Sequence, residues 1–519
     1  MNIFTSYERT IGDHYVQGLV GFTQELSDNL SILGSNDVLQ TDELPMLRLS
    51  DGTSRSASDD ASQLAIRGTF ARVNYNYKGK YLLEFNGRFD GTSRFLKEVR
   101  NKFYPGFSAA WVPSSETFWL PIEPYVNRMK LRFSYGSLGD QVFLNNNYPF
   151  FPSLGRSLPT GTNYIFSDGR QSQFGPPPLV DMTLTWVTTT TINYGVDLHT
   201  LNNQLSFSFD WYKRSSKDFA GPPTMFPVLL GVAAPQVNNA EIETTGFEIT
   251  LGWRDKIGEV TYGVNAVLGD QKGKVVKYNN TQKLLAQVWY DGMTLGEIWG
   301  FETVGLFQSE DEIRDAPGQN ELGSANWFKG DVRYKKIADD GGDITYAENS
   351  ADNPGDRRII GNNSARYTFG LNLTSEWKGF DLTVFLQGVG KRDMMFGTGA
   401  NYFWGYTGDQ WQSSYFTVHR DRWTEDNTGG YFPRHSFESV AKNRVAQTRY
   451  LQNAAYLRIK NVQAGYTIPR SISERVNIQR ARIFVNVENL ATFTGLMKII
   501  DPEIVDAEAK VYPLRKRTP

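Results

Sequence analysis

The chain has 519 residues, with 54 lysines and arginines against 56 aspartates and glutamates, 14% aromatic residues, 48 glycines and no cysteine. The lack of cysteine excludes disulfides, thiolate catalysis and cysteine-ligated zinc or iron–sulfur sites. The net charge of −2 gives no electrostatic case for nucleic-acid binding, and no run of about 20 apolar residues could form a membrane helix.

Alternation of apolar and polar residues begins at the N-terminus. Ile3 to Glu8, a Gly12-Asp13 turn and Tyr15 to Glu25 predict a β-hairpin. The first residues have neither a basic region nor an apolar core of the secretory type, so we expect the true start of an exported protein to lie upstream.

The same period-2 pattern continues and predicts about 14 strands. The clearest are 81–90, 129–136, 186–199, 204–214, 245–254 and 260–268. In the 204–214 strand, Leu205, Phe207 and Phe209 alternate with serines. Single charged residues on the polar faces of these strands would be costly in a dry core but acceptable in a water-filled lumen.

The segment from Tyr367 to Gly388 shows the pattern most clearly. Two alternating runs flank a Lys378-Gly379 turn, with apolar residues such as Leu371 and Leu382 on one face and polar residues such as Thr374 on the other. This predicts a hairpin with one apolar and one polar face. A β-sandwich would bury the apolar face in its core, whereas a transmembrane barrel would turn that face to lipid.

The predicted connections alternate between short and long. Short ones are Gly12-Asp13, Lys78-Gly79, 201–203, 255–258 and Lys378-Gly379, and long ones are 26–62, 92–101, 139–183, 218–242, 273–364 and 394–452. Short turns at one end and long loops at the other are typical of outer-membrane barrels.

Aromatic residues cluster beside the short turns. Tyr77, Tyr81, Trp377 and Phe380 predict an aromatic belt at the periplasmic membrane interface. The alternative is that they form ordinary cross-strand aromatic pairs.

Several long segments together resemble the SusC/RagA-type TonB-dependent transporters of Bacteroidetes outer membranes. They are YLLEFNGRFDGTSRF at 81–95, FYPGFSAAWVPSSETFW at 103–119, MKLRFSYGSLGDQ at 129–141, the run at 184–219, EIETTGFEITL at 241–251, the run at 367–394, and the runs at 453–469 and 485–494. They cover nearly the whole chain in the family's order.

The resemblance implies an all-β fold, a large antiparallel transmembrane β-barrel of the 22-stranded family, represented here by about 14 strands. It implies TonB-dependent active uptake of an oligosaccharide or peptide across the cell outer membrane, with a SusD-like surface lipoprotein as lid. Against that family, residues 1–519 match the C-terminal barrel portion. We find no counterpart of the plug domain, the TonB box or the closing strand, and we expect an open array of this kind to be unable to form a closed barrel alone.

One loop carries candidate ligand-binding residues. Residues 401–416 place Tyr402, Trp404, Tyr406 and Trp411 in a polar setting, where flat rings could stack on sugar faces. The alternative is that these rings pack the loop against the barrel rim or a partner.

No other segment predicts chemistry strongly. Asp339, Asp340 and Asp343 lie among glycines, as in calcium-binding loops, but their spacing does not match the EF-hand pattern and a solvated turn is the simpler interpretation. The four histidines are scattered, and no nucleophile elbow, HExxH or P-loop occurs. We therefore predict no enzymatic activity, no cofactor and no metal.

Two rival hypotheses remain open from the sequence. A soluble carbohydrate-binding or structural β-protein would bury Leu205, Phe207 and Phe209 in a core. A product of a split reading frame would have no function alone.

Overall fold

The computed structural model describes residues 1–38, 41, 43–44, 46–49, 56–141, 147–157, 165–167, 169–171, 173–223, 231–232, 234–398, 400–405, 415–436, 440–498, 500–503 and 505. Fourteen long strands form one sheet in which each strand lies beside its neighbour in sequence. They are β1 (Asn2–Ile11), β2 (His14–Ser35), β3 (Ser56–Tyr77), β4 (Tyr81–Thr92), β5 (Asn101–Trp111), β6 (Val126–Asp140), β7 (Val187–Thr200), β8 (Leu205–Gly221), β9 (Val237–Ile257), β10 (Val260–Lys277), β11 (Arg366–Trp377), β12 (Phe380–Lys391), β13 (Tyr456–Thr467) and β14 (Arg482–Thr494).

Short elements occupy the connections. Two-stranded pairs are Arg156–Ser157 with Gln173–Phe174, Ile165–Phe166 with Gly169–Arg170, Glu297–Phe301 with Arg357–Asn362, Thr303–Leu306 with Val332–Tyr334, and Asp393–Met394 with Gln452–Asn453. The α-helices are Glu310–Asp315, Asn401–Trp404 and Arg470–Ser473, and the 3₁₀ helices are Leu47–Leu49, Pro113–Ser115, Thr117–Trp119, Asn320–Leu322, Thr417–Arg420, Val440–Asn443 and Glu474–Val476. Within the described part of the chain, no helix has the length and apolar character needed to cross a bilayer.

The hairpin predicted from Tyr367 to Gly388 is confirmed as β11 and β12. Trp377 pairs with Phe380 across the turn, and both turn residues have positive φ, 47° at Lys378 and 89° at Gly379. Two successive positive φ angles define the turn type that matches the right-handed twist of a hairpin. At Gly379 a Cβ atom would lie 2.8 Å from the Thr467 carbonyl oxygen, so glycine is also required sterically.

The strands extend beyond the predicted limits in several places. The second strand runs to Ser35 rather than ending near Glu25, and its pairing with β3 continues to Ser35–Ser56. All residues of β2 from Gln24 onward are exposed on both faces. Leu26, Leu30 and Ile32 continue the apolar face of this strand with one interruption at Asp28, so the predicted limit near Glu25 is too early. The turn after β9 is also shorter than predicted, since β9 ends at Ile257 and β10 begins at Val260.

The chain divides into two compact units. The first comprises residues 1–112, 132–193 and 214–241, and the second comprises 113–131, 194–213 and 242–519. In the first unit, Phe95, Tyr104, Leu184 and Trp186 form a small buried cluster, where the Trp186 indole N–H donates to the Arg100 carbonyl at 2.7 Å.

The apolar strand faces do not form a core. On β11 and β12, Trp377, Phe380 and Leu382 are 48%, 54% and 44% exposed. In the described residues of the second unit, the large buried cluster is built mainly from the long connections instead. This distribution is opposite to that of a soluble sandwich. Leu205, Phe207 and Phe209, which the rival soluble β-protein would bury in a core, are each only partly buried.

Candidate functional site

The polar face of β10 to β14 carries hydrogen-bonding and charged groups along its length. Thr374 pairs with Thr383, and Thr383 pairs with Gln463 on the next strand. Nearer the short turns, Asp381 accepts two hydrogen bonds from the Arg482 guanidinium at 2.9 and 2.5 Å. A face of this composition is suited to contact with water.

The predicted belt residues lie at two short turns, with their rings against one another. The ring centroids of Tyr77 and Tyr81 are 6.4 Å apart, and those of Trp377 and Phe380 are 6.2 Å apart. Phe380 also contacts Tyr466 at 4.5 Å. Tyr81, Trp377 and Phe380 are exposed and Tyr77 is partly exposed, as a membrane-interface position requires, and the belt stays a prediction.

Buried apolar side chains join the two longest connections of the second unit. We call this set the loop cluster; its members are Phe301, Leu306, Leu322, Val332, Tyr334, Ile344, Met394, Phe396, Phe403, Trp404, Trp423, Phe432, Tyr450, Ala454, Leu496, Ile500 and Val505. They come from 278–365, 392–455 and the residues after β14. The cluster therefore gives the long loops a fixed structure of their own.

A buried ion pair lies beside the loop cluster. The Lys442 ammonium is 2.5 Å from the Asp331 carboxylate, and the two side chains are 2% and 0% exposed. Asp331 also accepts from the Asn443 side-chain amide at 2.9 Å, and Lys442 lies 5.1 Å from the Trp327 ring centroid. Such a pair is stable only when both charges are fully partnered, because removing them from water is costly.

Of the four predicted ligand-binding residues, the structure describes Trp404 and Tyr402. Trp404 is 3% exposed and lies in the loop cluster, 5.0 Å from the Tyr450 ring, with its indole N–H donating to the Gly397 carbonyl at 3.0 Å. The packing alternative describes this residue, since its ring has no free face for a sugar. Tyr402 is partly buried against the same cluster, and Tyr406 and Trp411 lie outside the described residues.

The acidic 336–345 loop is held by the protein's own donors. Asp340 forms an ion pair with Lys336 at 2.8 Å, and the buried Asp356 accepts the backbone N–H groups of Ile337, Ala338 and Thr345. Among the described residues no group of three or more potential metal ligands occurs. Asp340 is already paired with Lys336, and the solvated-turn interpretation stays a prediction.

The residues after β14 are tied to the polar face of β12 and β13. Glu503 accepts from Arg458 and Lys460, each at 2.7 Å, and Asp501 accepts from Arg458 at 2.5 Å. Gln387 of β12 also donates to Glu503 at 2.5 Å. Arg458 is 5% exposed, so these ion pairs form a network with a buried arginine at its centre.

A cavity of about 400 Å³ lies among the loops of the second unit. Its walls include Leu285, Val288, Tyr290, Met293, Glu297, Ile298, Trp299, Arg357, Asp393, Met394, Met395 and Val505. Burial raises the pKa of the Tyr290 hydroxyl, which donates to Glu297 at 2.6 Å. Burial also lowers the pKa of the Arg357 guanidinium, which lies 4.8 Å from the Tyr346 ring centroid. We call this space the loop cavity.

Comparison with known proteins identifies the family. Residues 3–389 match the model of the TonB dependent receptor-like β-barrel, which covers more than half of the chain. The chain therefore belongs to this family of outer-membrane receptors and transporters, and it is an outer-membrane protein.

Individual relatives agree with this assignment. The chain is 25% identical over 508 residues to TonB-dependent receptor P3 of Formosa agariphila, covering 95% of this chain and 47% of that protein. It is 22% identical to TonB-dependent receptor SusC of Bacteroides thetaiotaomicron, covering 89% and 44%. The chain thus spans about half the length of the curated relatives it matches.

Solved structures share the fold. The RagAB peptide importer in its "open-open" state superposes with a TM-score of 0.74 at 20% identity, covering 95% of this chain and 50% of that chain. Its "closed-closed" state gives a TM-score of 0.73 at 21% identity, covering 95% and 51%. The all-β, antiparallel barrel architecture implied by the sequence resemblance is confirmed.

Sequence reasoning missed the residues around the loop cavity and the network after β14. Trp299 and Arg357 belong to short strands that are far apart in sequence and show no alternation long enough to recognise. Lys460 lies at a shift in strand register between Ile459 and Asn461, two residues after Arg458, and this shift breaks the period-2 pattern. Arg458 and Lys460 entered the sequence analysis only as part of the 453–469 segment of the family resemblance.

Arginine at Leu373 should destabilise the barrel, since this side chain lies on the apolar face in the middle of β11. A charged residue on the lipid face of a barrel costs about 2–4 kcal/mol near the midplane. We expect less folded receptor in outer membranes and a lower urea midpoint in liposomes. Thr374→Arg, on the polar face of the same strand, is the matched control; equal losses in the two variants would contradict the assignment of the faces.

Lys442→Met should loosen the loop cluster, because it leaves the Asp331 carboxylate buried without its cation. Breaking a buried pair in this way costs about 3–5 kcal/mol. Faster hydrogen exchange in 326–334 and 440–447 would show the effect. In the control, Lys329→Met removes the exposed Lys329–Glu425 pair and should change stability by less than about 1 kcal/mol; similar exchange in both variants would argue against the role of the buried pair.

The loop cluster should also lose stability in acid. Burial lowers the pKa of His419, whose Nδ1 accepts from the Phe416 N–H at 3.0 Å and must be unprotonated to do so. Burial and neighbouring positive charges lower the pKa of His435 to about 4. Both side chains are therefore neutral in the folded loops and gain protons more readily on unfolding.

The two histidines thus contribute full stability above their unfolded pKa of about 6.5. That contribution falls as the pH decreases from about 6.5 toward the folded pKa values. Hydrogen exchange in 400–405 and 415–436, corrected for its intrinsic pH dependence, should reveal more opening at pH 5 than at pH 7.5. Replacing both histidines by glutamine should remove much of this difference, and an unchanged difference would assign it to other groups.

Proposed function

We propose that the chain forms strands and extracellular loops of a TonB-dependent importer that takes up a large nutrient, an oligosaccharide or a peptide, across the outer membrane. The carrying observation is that the same strands present an exposed apolar face and an opposite face bearing groups such as Thr374, Thr383 and the Asp381–Arg482 pair. With the family assignment, this arrangement supports lipid on one side and a water-filled passage on the other.

The long loops supply the nutrient-binding surface in this proposal. The loop cluster fixes them as a packed body, so binding groups are presented on an ordered scaffold. Glycan contact by Tyr402, Tyr406 and Trp411 remains part of the proposal, whereas Trp404 supports that surface from beneath. Tyr77, Tyr81, Trp377 and Phe380 would anchor the short-turn end at the periplasmic interface.

The whole importer would work with further components. A SusD-like surface lipoprotein would close over the long loops, and the TonB complex would supply energy through the plug region of the whole receptor. The existence of open and closed states of the RagAB peptide importer supports a cycle with an opening step. We propose no catalytic activity and no cofactor, since transport of this kind changes no covalent bond in the nutrient.

Uptake by whole cells tests the proposal. Cells carrying the receptor should accumulate a labelled oligosaccharide or peptide that cells lacking it do not, and dissipating the proton-motive force should abolish the difference. Receptor-dependent uptake that survives such dissipation would indicate a passive pore. Equal accumulation with and without the receptor, across a panel of both nutrient classes, would contradict the proposed function.

A further inference from the structure

The loop cavity has hydrogen-bond donors that its own acceptors do not satisfy. The Trp299 Nε1 atom is buried and has no hydrogen-bond partner of good geometry among the described residues; a polar neighbour is the Tyr290 hydroxyl, whose pKa the Trp299 N–H acts to lower. The Tyr290 hydroxyl donates its own proton to Glu297. A buried N–H group without an acceptor is costly, so an oxygen atom from a ligand would stabilise this position.

Arg357 adds a positive charge to the same cavity. Its guanidinium donates to the Asn349 side chain at 2.7 Å and to the Pro354 carbonyl at 3.3 Å. No carboxylate appears among the groups that shift its pKa, and burial is the main cause of that shift. Within the part of the chain that the structure describes, this half-buried cation therefore has polar neighbours but no counter-ion.

Strand pairing places the two donors near each other. Trp299 lies opposite Ile359, and Phe301 lies opposite Arg357. Trp299 and Arg357 therefore occupy the same face of this strand pair in a diagonal position, where side chains are about 7–8 Å apart. One carboxylate between them could accept from both.

The acidic residues of the cavity are already engaged. Glu297 accepts from Tyr290 through one oxygen and from the Thr294 backbone N–H through the other, at 2.6 and 2.8 Å. Asp393 accepts the Asn362 backbone N–H at 3.0 Å. Arg357 and the Trp299 N–H are thus the donors left to bind an acceptor from a ligand, in a lining that also carries the carboxylates of Glu297 and Asp393.

The remaining walls are suited to an apolar group. Met293, Met394 and Met395 supply flexible thioether side chains, which adapt to apolar ligands of different shape. Leu285, Val288 and Ile298 extend the apolar surface. These residues form the apolar part of a wall that also includes polar side chains such as Gln287 and Asn363.

We propose that the loop cavity binds the C-terminal end of a short peptide, with its carboxylate on Arg357 and the Trp299 N–H and its apolar last side chain against the methionines. The volume of about 400 Å³ lies at the small end of ligand sites, so the cavity takes the end of a peptide rather than a long chain. This inference rests on the proposed function and selects peptide over glycan as the nutrient class at this site.

Calorimetric titration of the whole receptor in detergent tests the inference. The probes are the tripeptide Ala-Ala-Leu, its C-terminal amide and maltotriose. We expect the free acid to bind, the amide to bind about tenfold more weakly because a charged hydrogen bond is lost, and maltotriose not to compete. No binding of the free acid, equal binding of the amide, or competition by maltotriose would overturn the proposal.

Two variants locate the binding site. Arg357→Gln removes the charge but keeps a donor, and Trp299→Phe removes the N–H but keeps a ring; each should weaken binding of the free acid, and Arg357→Gln should remove the preference over the amide. Arg434→Gln and Trp327→Phe, outside the cavity lining, are matched controls and should bind as the native receptor does. A heat-resistant band on electrophoresis confirms that each variant is folded, and loss of binding in the controls alone would overturn the site.

Whole-cell uptake separates failure of this inference from failure of the proposed function. Receptor-dependent peptide uptake that is unaffected by Arg357→Gln and Trp299→Phe would overturn the cavity site while transport stands. Uptake that does not require the receptor at all would overturn the proposed function itself.

Discussion

The structure depends on the hydrogen-bonded ladder that joins consecutive strands. In a membrane, backbone N–H and C=O groups must find partners within the protein, and an antiparallel sheet provides them without using side chains. The side chains are then free to differ completely between the two faces. On β11 and β12 this gives Leu373 and Leu382 on one side and Thr374 and Thr383 on the other, with one register for both.

The long loops are ordered in a different way, because the strand ladder does not extend through them. They form the loop cluster and secure it with polar contacts between distant segments, such as the Lys442–Asp331 pair and the bonds from Tyr334 to Lys442 and Gln319. The network of Arg458, Lys460 and Glu503 extends this principle to the polar sheet face. The apolar faces of the strands thus form no core of their own, whereas the long loops pack around the loop cluster.

The sequence predicted the features that depend on residues close together in the chain, and missed those that depend on distant segments. The hairpin at Lys378-Gly379 was predictable because alternation and turn chemistry lie within about 20 residues. The extension of β2 to Ser35 was missed because Asp28 interrupts the apolar face of Leu26, Leu30 and Ile32, and the pairing with β3 shows that the strand continues. The burial of Trp404 and the proximity of Trp299 to Arg357 were not predictable either, because each depends on segments that meet only after the loops fold.

The ribbon formed by the outer halves of β2 and β3 has a consequence for how this receptor can change over generations. From Gln24 to Ser35 neither face is buried, and the register is held by main-chain bonds that any residue other than proline can make. Side chains there need not fit a buried core. The ribbon is therefore a part of the receptor whose sequence is less constrained by packing than that of the loop cluster.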